Sequence, residues 1–100
     1  MSEQKIEELE TYRCQIDVLD RRILDLLNER TAIVEQIGRV KQERKLGVYE
    51  PKREDQVYAN ILTHNHGPLH GDAVKRIFER IIDEMRTVQK TNMEAGGKTC

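Results

Sequence analysis

A chain of 100 residues has room for one domain with a limited core, and its 17 Lys and Arg against 18 Asp and Glu leave no global field to draw nucleic acid or an anionic membrane. Apolar residues make up 37%, with Phe78, Tyr12, Tyr49 and Tyr58 as the aromatics, which argues against a β-sandwich or barrel and for an all-α fold packed through Leu, Ile and Val. No apolar run approaches the ~20 residues that span a bilayer, and residues 1–10 are too charged for a secretory signal, so a cytoplasmic location without membrane contact is expected. Cys14 and Cys100 have no disulfide-framework spacing.

The first predicted helix runs from Gln4 to Arg44, free of proline and rich in Glu, Leu, Arg and Lys. One seam can be followed along it: Leu9, Arg13, Ile16, Asp20, Ile23, Leu27, Arg30, Val34, Ile37 and Lys41. Steps of three and four keep these side chains on one helix face. Gly38 lowers helix propensity there and reads as a point of close helix approach. A helix of this length rises about 60 Å, too far to fold back on itself, so a second chain is expected to cover its apolar face.

Gly47 is the expected helix stop, and residues 46–50 connect to Pro51, a residue suited to a first helical turn. The second helix is expected over Pro51–Thr63, with Val57, Ile61 and Leu62 inward and Arg53 and Glu54 in its opening turn, facing either way. His64, His66 and His70 sit in a Gly- and Pro-containing loop that offers no Cys or acidic partner at a recognised zinc spacing, so no metal site is expected. The third helix is expected over Asp72–Lys90, with Val74, Ile77, Phe78, Ile81, Ile82, Met85 and Val88 as its apolar stripe and Gln89 close to it. Residues 1–91 form the expected domain, and residues 92–100 have the composition of a disordered tail.

Cations in an apolar seam need carboxylate partners or an anionic ligand. Arg30 and Lys41 are eleven positions apart, about 16 Å along the axis at nearly the same azimuth, so a compact anion fits between their side chains. Arg13 is seventeen positions before Arg30, about 25 Å away, and reaches such a site only from a second, antiparallel copy. The same pattern is also what snorkelling side chains, or ion pairs with Asp17 and Asp20, would leave in a helical bundle without chemistry.

The polar residues in this order resemble those of the all-helical chorismate mutases of the shikimate pathway. The similarity lies in Arg13-x-x-Ile16-x-x-Leu19-Asp20, Leu26-Leu27-x-Glu29-Arg30, Ile37-Gly38-x-x-Lys41, Arg53-Glu54 and Gln89, and it covers residues 6–90. The resemblance implies three helices per chain in an intertwined homodimer with antiparallel first helices. It also implies a cofactor-free Claisen rearrangement of chorismate to prephenate. On the family's pattern, Arg30 and Arg13 from the partner chain hold the two substrate carboxylates, while Lys41 and Gln89 donate to the ether oxygen. Glu54 accepts from the ring hydroxyl, the Glu50 backbone N–H assists, and Arg53 adds positive charge. Two positions depart from that pattern: Met85 stands where some members carry a serine that contacts a carboxylate, and Glu50 where an aspartate is frequent. Alternatives on the same residues are an isochorismate-pyruvate lyase on this scaffold, or a non-catalytic helical dimer or regulatory module.

Overall fold

The computed structural model describes residues 2–98, with side chains as far as Asn92. The described chain is carried by three helices, α1 (Ser2–Glu43), α2 (Pro51–His64) and α3 (Gly71–Lys98). None is long and apolar enough to cross a membrane. Most ends fall within two residues of those expected from the sequence, but α3 continues eight residues past Lys90. Met93, Glu94 and Ala95 are helix formers and no proline follows Asn92, so the helix carries on through Gly96 and Gly97 despite their low propensity. Residues 99 and 100, the last of the expected tail and the site of Cys100, lie outside the described residues.

The chain divides between Ala32 and Ile33 into two compact units. The first is the helical stretch of α1 up to Ala32, where Leu9, Ile16 and Ile23 of the seam are all exposed. The second holds the rest of α1 with α2 and α3. Its buried apolar side chains are Val34 of α1 and Val74, Ile82 and Met85 of α3. Val57 and Ile61 of α2 and Phe78 and Ile81 of α3 are half-buried around them. Ile77, expected in the stripe, is exposed, because the buried face follows residues 74, 78, 82, 85 and 89 and leaves position 77 on its flank.

The end of α1 differs from the expected glycine stop. Leu46 N–H donates to Lys41 O at 2.7 Å and Lys45 N–H to Gln42 O at 3.2 Å, the paired bonds of a Schellman motif. The left-handed residue this motif requires is Lys45, at φ 58°, whereas Gly47 has no positive φ. Reversal two residues earlier uses the last carbonyls of α1 at once, and its cost is a Cβ in the left-handed region. The loop between α2 and α3 is closed by its own side chains. His64 Nδ1 donates to Asn60 O at 2.7 Å at the end of α2, the Asn65 amide donates to Leu69 O at 2.8 Å, and His70 Nδ1 accepts from Asp72 N–H at 3.3 Å to cap α3.

Replacing Lys45 by glycine relieves the left-handed strain at the cost of a freer unfolded chain. Lys45→Gly is expected to raise stability by about 0.5–1 kcal/mol, read as a higher urea midpoint with an unchanged slope. An unchanged or lower midpoint would show that the φ of Lys45 is not a cost to the fold.

Candidate active site

Lys41 stands on the last turn of α1, where steps of four and three from Val34 and Gly38 place it on the buried face. Its side chain is only 7% exposed. Desolvating an ammonium is costly unless each proton finds an acceptor, and Nζ has three within reach. It donates to Gln89 Oε1 at 3.0 Å and to Val48 O at 3.2 Å, and pairs with Glu50 Oε1 at 2.5 Å. The Schellman turn makes two of these contacts possible, because it sends residues 46–50 back over the turn that carries Lys41.

Gln89 is the third partner, four residues after Met85 on the buried face of α3. At Gly38 an added Cβ would meet Gln89 Cγ at 3.6 Å, so α1 and α3 come close at this point, as a glycine inside the helix suggested. The contact is ordinary van der Waals distance, so alanine also fits. Since an ammonium only donates, the amide must turn Oε1 toward Lys41, which leaves both Nε2 protons available for another acceptor. The site thus presents one cation and one neutral donor side by side.

Glu50 begins α2 as its N-cap, at φ −134° and ψ 80°, without a side-chain capping bond. Its carboxylate goes to Lys41 instead, while its carbonyl accepts from Glu54 N–H at 3.1 Å. One turn on, Glu54 faces inward and Arg53 outward. Arg53 is exposed and reaches Gln56 Oε1 at 3.4 Å. Glu54 is held by Arg86 of α3, whose Nε donates to Oε2 at 2.7 Å and whose second terminal nitrogen donates to Oε1. These bonds hold the Glu54 carboxyl below its ordinary value of 4.5; burial opposes them, and the charges of Arg86 and Lys41 reinforce them. Tyr49 lies with its ring centroid 5.9 Å from the Arg86 guanidinium carbon.

The second unit therefore brings Lys41, Glu50, Glu54, Met85 and Gln89 into one region. Met85 is buried in the core beside Gln89's turn rather than presenting a hydroxyl donor. Arg13 and Arg30 belong to the first unit, where Arg13 is exposed and paired with Glu10 at 2.7 Å and Arg30 is half-buried.

A profile of the family described as chorismate mutase type II matches residues 12–90. The chain belongs to the chorismate mutase type II family. It is 30% identical to the chorismate mutase of Methanocaldococcus jannaschii over 91 residues, covering 89% of this chain and 91% of that protein. It is 33% identical to the bifunctional chorismate mutase/prephenate dehydratase of Stutzerimonas stutzeri over 84% of this chain, but spans only 24% of that relative's length. Among solved structures, a chorismate mutase (form II) from Thermus thermophilus superposes with a TM-score of 0.81 at 31% identity, covering 83% of this chain and 94% of that one.

Within this family frame, three features of the site were not foreseen: Arg86, the carbonyl of Val48 and the carboxylate of Glu50. Arg86 follows Ile82 by four positions and precedes Gln89 by three, on the edge of the buried stripe, and an inward Glu54 demands a cation. That pairing was the available signal. The Val48 carbonyl left none, because a backbone acceptor has no residue signature.

Two measurements follow from these contacts. Gln89→Leu removes a buried acceptor from Lys41 and is expected to cost about 1–3 kcal/mol in chemical denaturation; a loss near zero would mean the ammonium is not buried as described. A depressed folded-state carboxyl stabilises the fold above its unfolded value and ceases to do so as pH falls through the folded value. The stability difference between wild type and Glu54→Gln should therefore be constant above about pH 5.5 and shrink progressively below 4.5. A difference that does not change with pH would exclude Glu54 as the source.

Proposed function

We propose that this chain is a chorismate mutase, converting chorismate to prephenate on the route to phenylalanine and tyrosine, in the cytoplasm and without a cofactor. The observation that carries the reading is a buried Lys41 ammonium set against the Gln89 amide, in a chain of this family. The rearrangement is pericyclic: the ether C–O bond breaks as a C–C bond forms in the same molecule, and no proton is transferred. A site can accelerate it only by holding the folded conformer and by stabilising the negative charge that grows on the ether oxygen. Lys41 and Gln89 Nε2 suit that task because neither has to change protonation state. For Lys41 to turn toward the ether oxygen one of its present acceptors must give way, and the Glu50 carboxylate, half exposed at the start of α2, is the one free to move.

Glu54 accepts from the ring hydroxyl in this scheme, the Glu50 N–H assists, and Arg53 contributes positive charge near the entrance. Arg30 binds one substrate carboxylate, and Arg13 of a second copy binds the other through the planar fork suited to carboxylates. The homodimer is supported by the first unit, where Leu9, Ile16 and Ile23 lie exposed along one face. Large apolar side chains exposed at that spacing on a long helix mark an interaction surface, and two-fold pairing of identical seams buries them on both copies. Residues 1–91 form the catalytic module, with the last turns of α3 beyond it.

Purified protein is expected to consume chorismate, and Lys41→Ala to lower kcat/KM by a hundredfold or more, about 3 kcal/mol of transition-state stabilisation, with helicity retained. An unchanged rate would remove Lys41 from the mechanism, and pyruvate release from isochorismate with no loss of chorismate would replace the reaction itself. The shared site has a separate test. Arg13→Ala and Arg30→Ala chains, each inactive alone, should regain activity when co-refolded, because one of the two sites in the heterodimer keeps both arginines; no recovery would show that Arg13 does not act across chains.

A further inference from the structure

Arg86 has no part in the scheme above, yet its guanidinium is held on several sides. Nε donates to Glu54 Oε2 at 2.7 Å and a terminal nitrogen to Glu54 Oε1, while the other terminal nitrogen lies 3.6 Å from Asp83 Oδ1. The Tyr49 ring stands 5.9 Å from the guanidinium carbon, within reach of a cation–π contact. The Glu54 side chain is 17% exposed and that of Arg86 35%, so the pair sits where packed interior meets solvent. Isolated surface ion pairs fix little, but a part-buried, two-pronged Arg–carboxylate pair fixes a plane.

We infer that Arg86 is a positioning residue: by gripping both oxygens of Glu54 from α3, it sets the rotamer and plane of that carboxylate and leaves lone pairs free for a substrate hydroxyl. The inference rests on the reading of Glu54 as the acceptor from the ring hydroxyl. A glutamate in the first turn of a helix has three side-chain torsions and open solvent beside it. Two parallel N–H···O bonds from a separate helix reduce it to one orientation before substrate arrives, so that ordering is not a cost of reaching the transition state.

The same contact decides charge. A carboxylate accepts from a hydroxyl without competition only while ionised, since a protonated one carries a donor of its own. The groups facing Glu54 are Arg86 from α3, Lys41 from α1 and Tyr58 from α2 itself, with Asp83 on the far side of Arg86. Lys41 is already paired with Glu50 at 2.5 Å, which offsets its field. Arg86 is thus the main cation keeping Glu54 ionised, and its removal leaves a part-buried carboxyl to protonate at higher pH.

The test combines an NMR titration of the Glu54 carboxyl, assigned with Glu54→Gln, with kcat/KM against pH for wild type, Arg86→Lys, Arg86→Gln and Arg86→Gln/Glu54→Gln, using chorismate. Glu54 should titrate below 4.5 in wild type and at or above it in Arg86→Gln. Arg86→Gln should lose about ten- to hundredfold in kcat/KM, with the larger loss near pH 5 than near pH 8, and the double variant should be no slower than Glu54→Gln alone. Arg86→Lys, which keeps the charge but not the fork, should recover the acid limb while remaining slower than wild type. An ordinary Glu54 titration in an active wild type, or losses that add in the double variant, would overturn the positioning role alone. The wild-type titration needs neither a folded variant nor turnover. A low Glu54 titration in a protein that leaves chorismate untouched would overturn the functional reading and the positioning role with it.

Discussion

A buried ammonium can be kept only where each of its protons meets an oxygen, and the arrangement of residues 33–92 follows from meeting that demand at Lys41. The acceptors come from three places: the carbonyl of Val48 in the connecting loop, the carboxylate of Glu50 at the start of α2, and the amide oxygen of Gln89 on α3. Each depends on a feature that is costly or unexpected on its own. Lys45 takes a left-handed conformation so that the chain reverses directly after α1. Glu50 leaves α2 without a side-chain cap. Gln89 occupies a buried position that an apolar residue would fill without further demands. The three make sense together, because a charge removed from water is retained only when its partners are complete.

The chemistry this arrangement can perform is set by what the groups are. Lys41 and Gln89 offer fixed donors next to one another, and the second pair, Glu54 with Arg86, offers a fixed acceptor. No member of either pair has to gain or lose a proton to act. Such a site is suited to a reaction whose transition state redistributes charge within one molecule, where placement and electrostatics are the available means of acceleration. It is poorly suited to proton abstraction, because its carboxylates are committed to cations and Glu54 is held below the ordinary carboxyl range.

Much of the fold was legible because its signals are local. Steps of three and four in the apolar pattern defined α1 and α3, and Pro51 marked the start of α2. The misplaced features have particular causes. Gly47 was the natural stop by composition, but the paired bonds from Lys45 and Leu46 to α1 carbonyls close the helix earlier, and hydrogen bonds of that kind override a residue's reluctance to take a positive φ. The composition after Lys90 reads as a tail, but Met93-Glu94-Ala95 favour helix and no proline stops it, so α3 extends to Lys98. The facing of Arg53 and Glu54 was open, since two adjacent polar residues in a first turn differ only by about 100° of azimuth, and the packing of α3 decides between them.

By itself the sequence determined three helices, a seam in which Arg13, Arg30 and Lys41 interrupt apolar residues, and the spacing of those cations, with Arg30 about 16 Å along the axis from Lys41 and Arg13 about 25 Å from Arg30. Those properties depend on periodicity along one helix, which sequence order records directly. Tertiary structure decided how Lys41 is neutralised, that the Glu50 carboxylate pairs with it, and that Glu54 answers to Arg86. Lys41 and Gln89 are 48 positions apart and Glu54 and Arg86 are 32, so no local rule connects them. Only when α1, α2 and α3 pack do these side chains share a low-dielectric space in which each charge must find its partner.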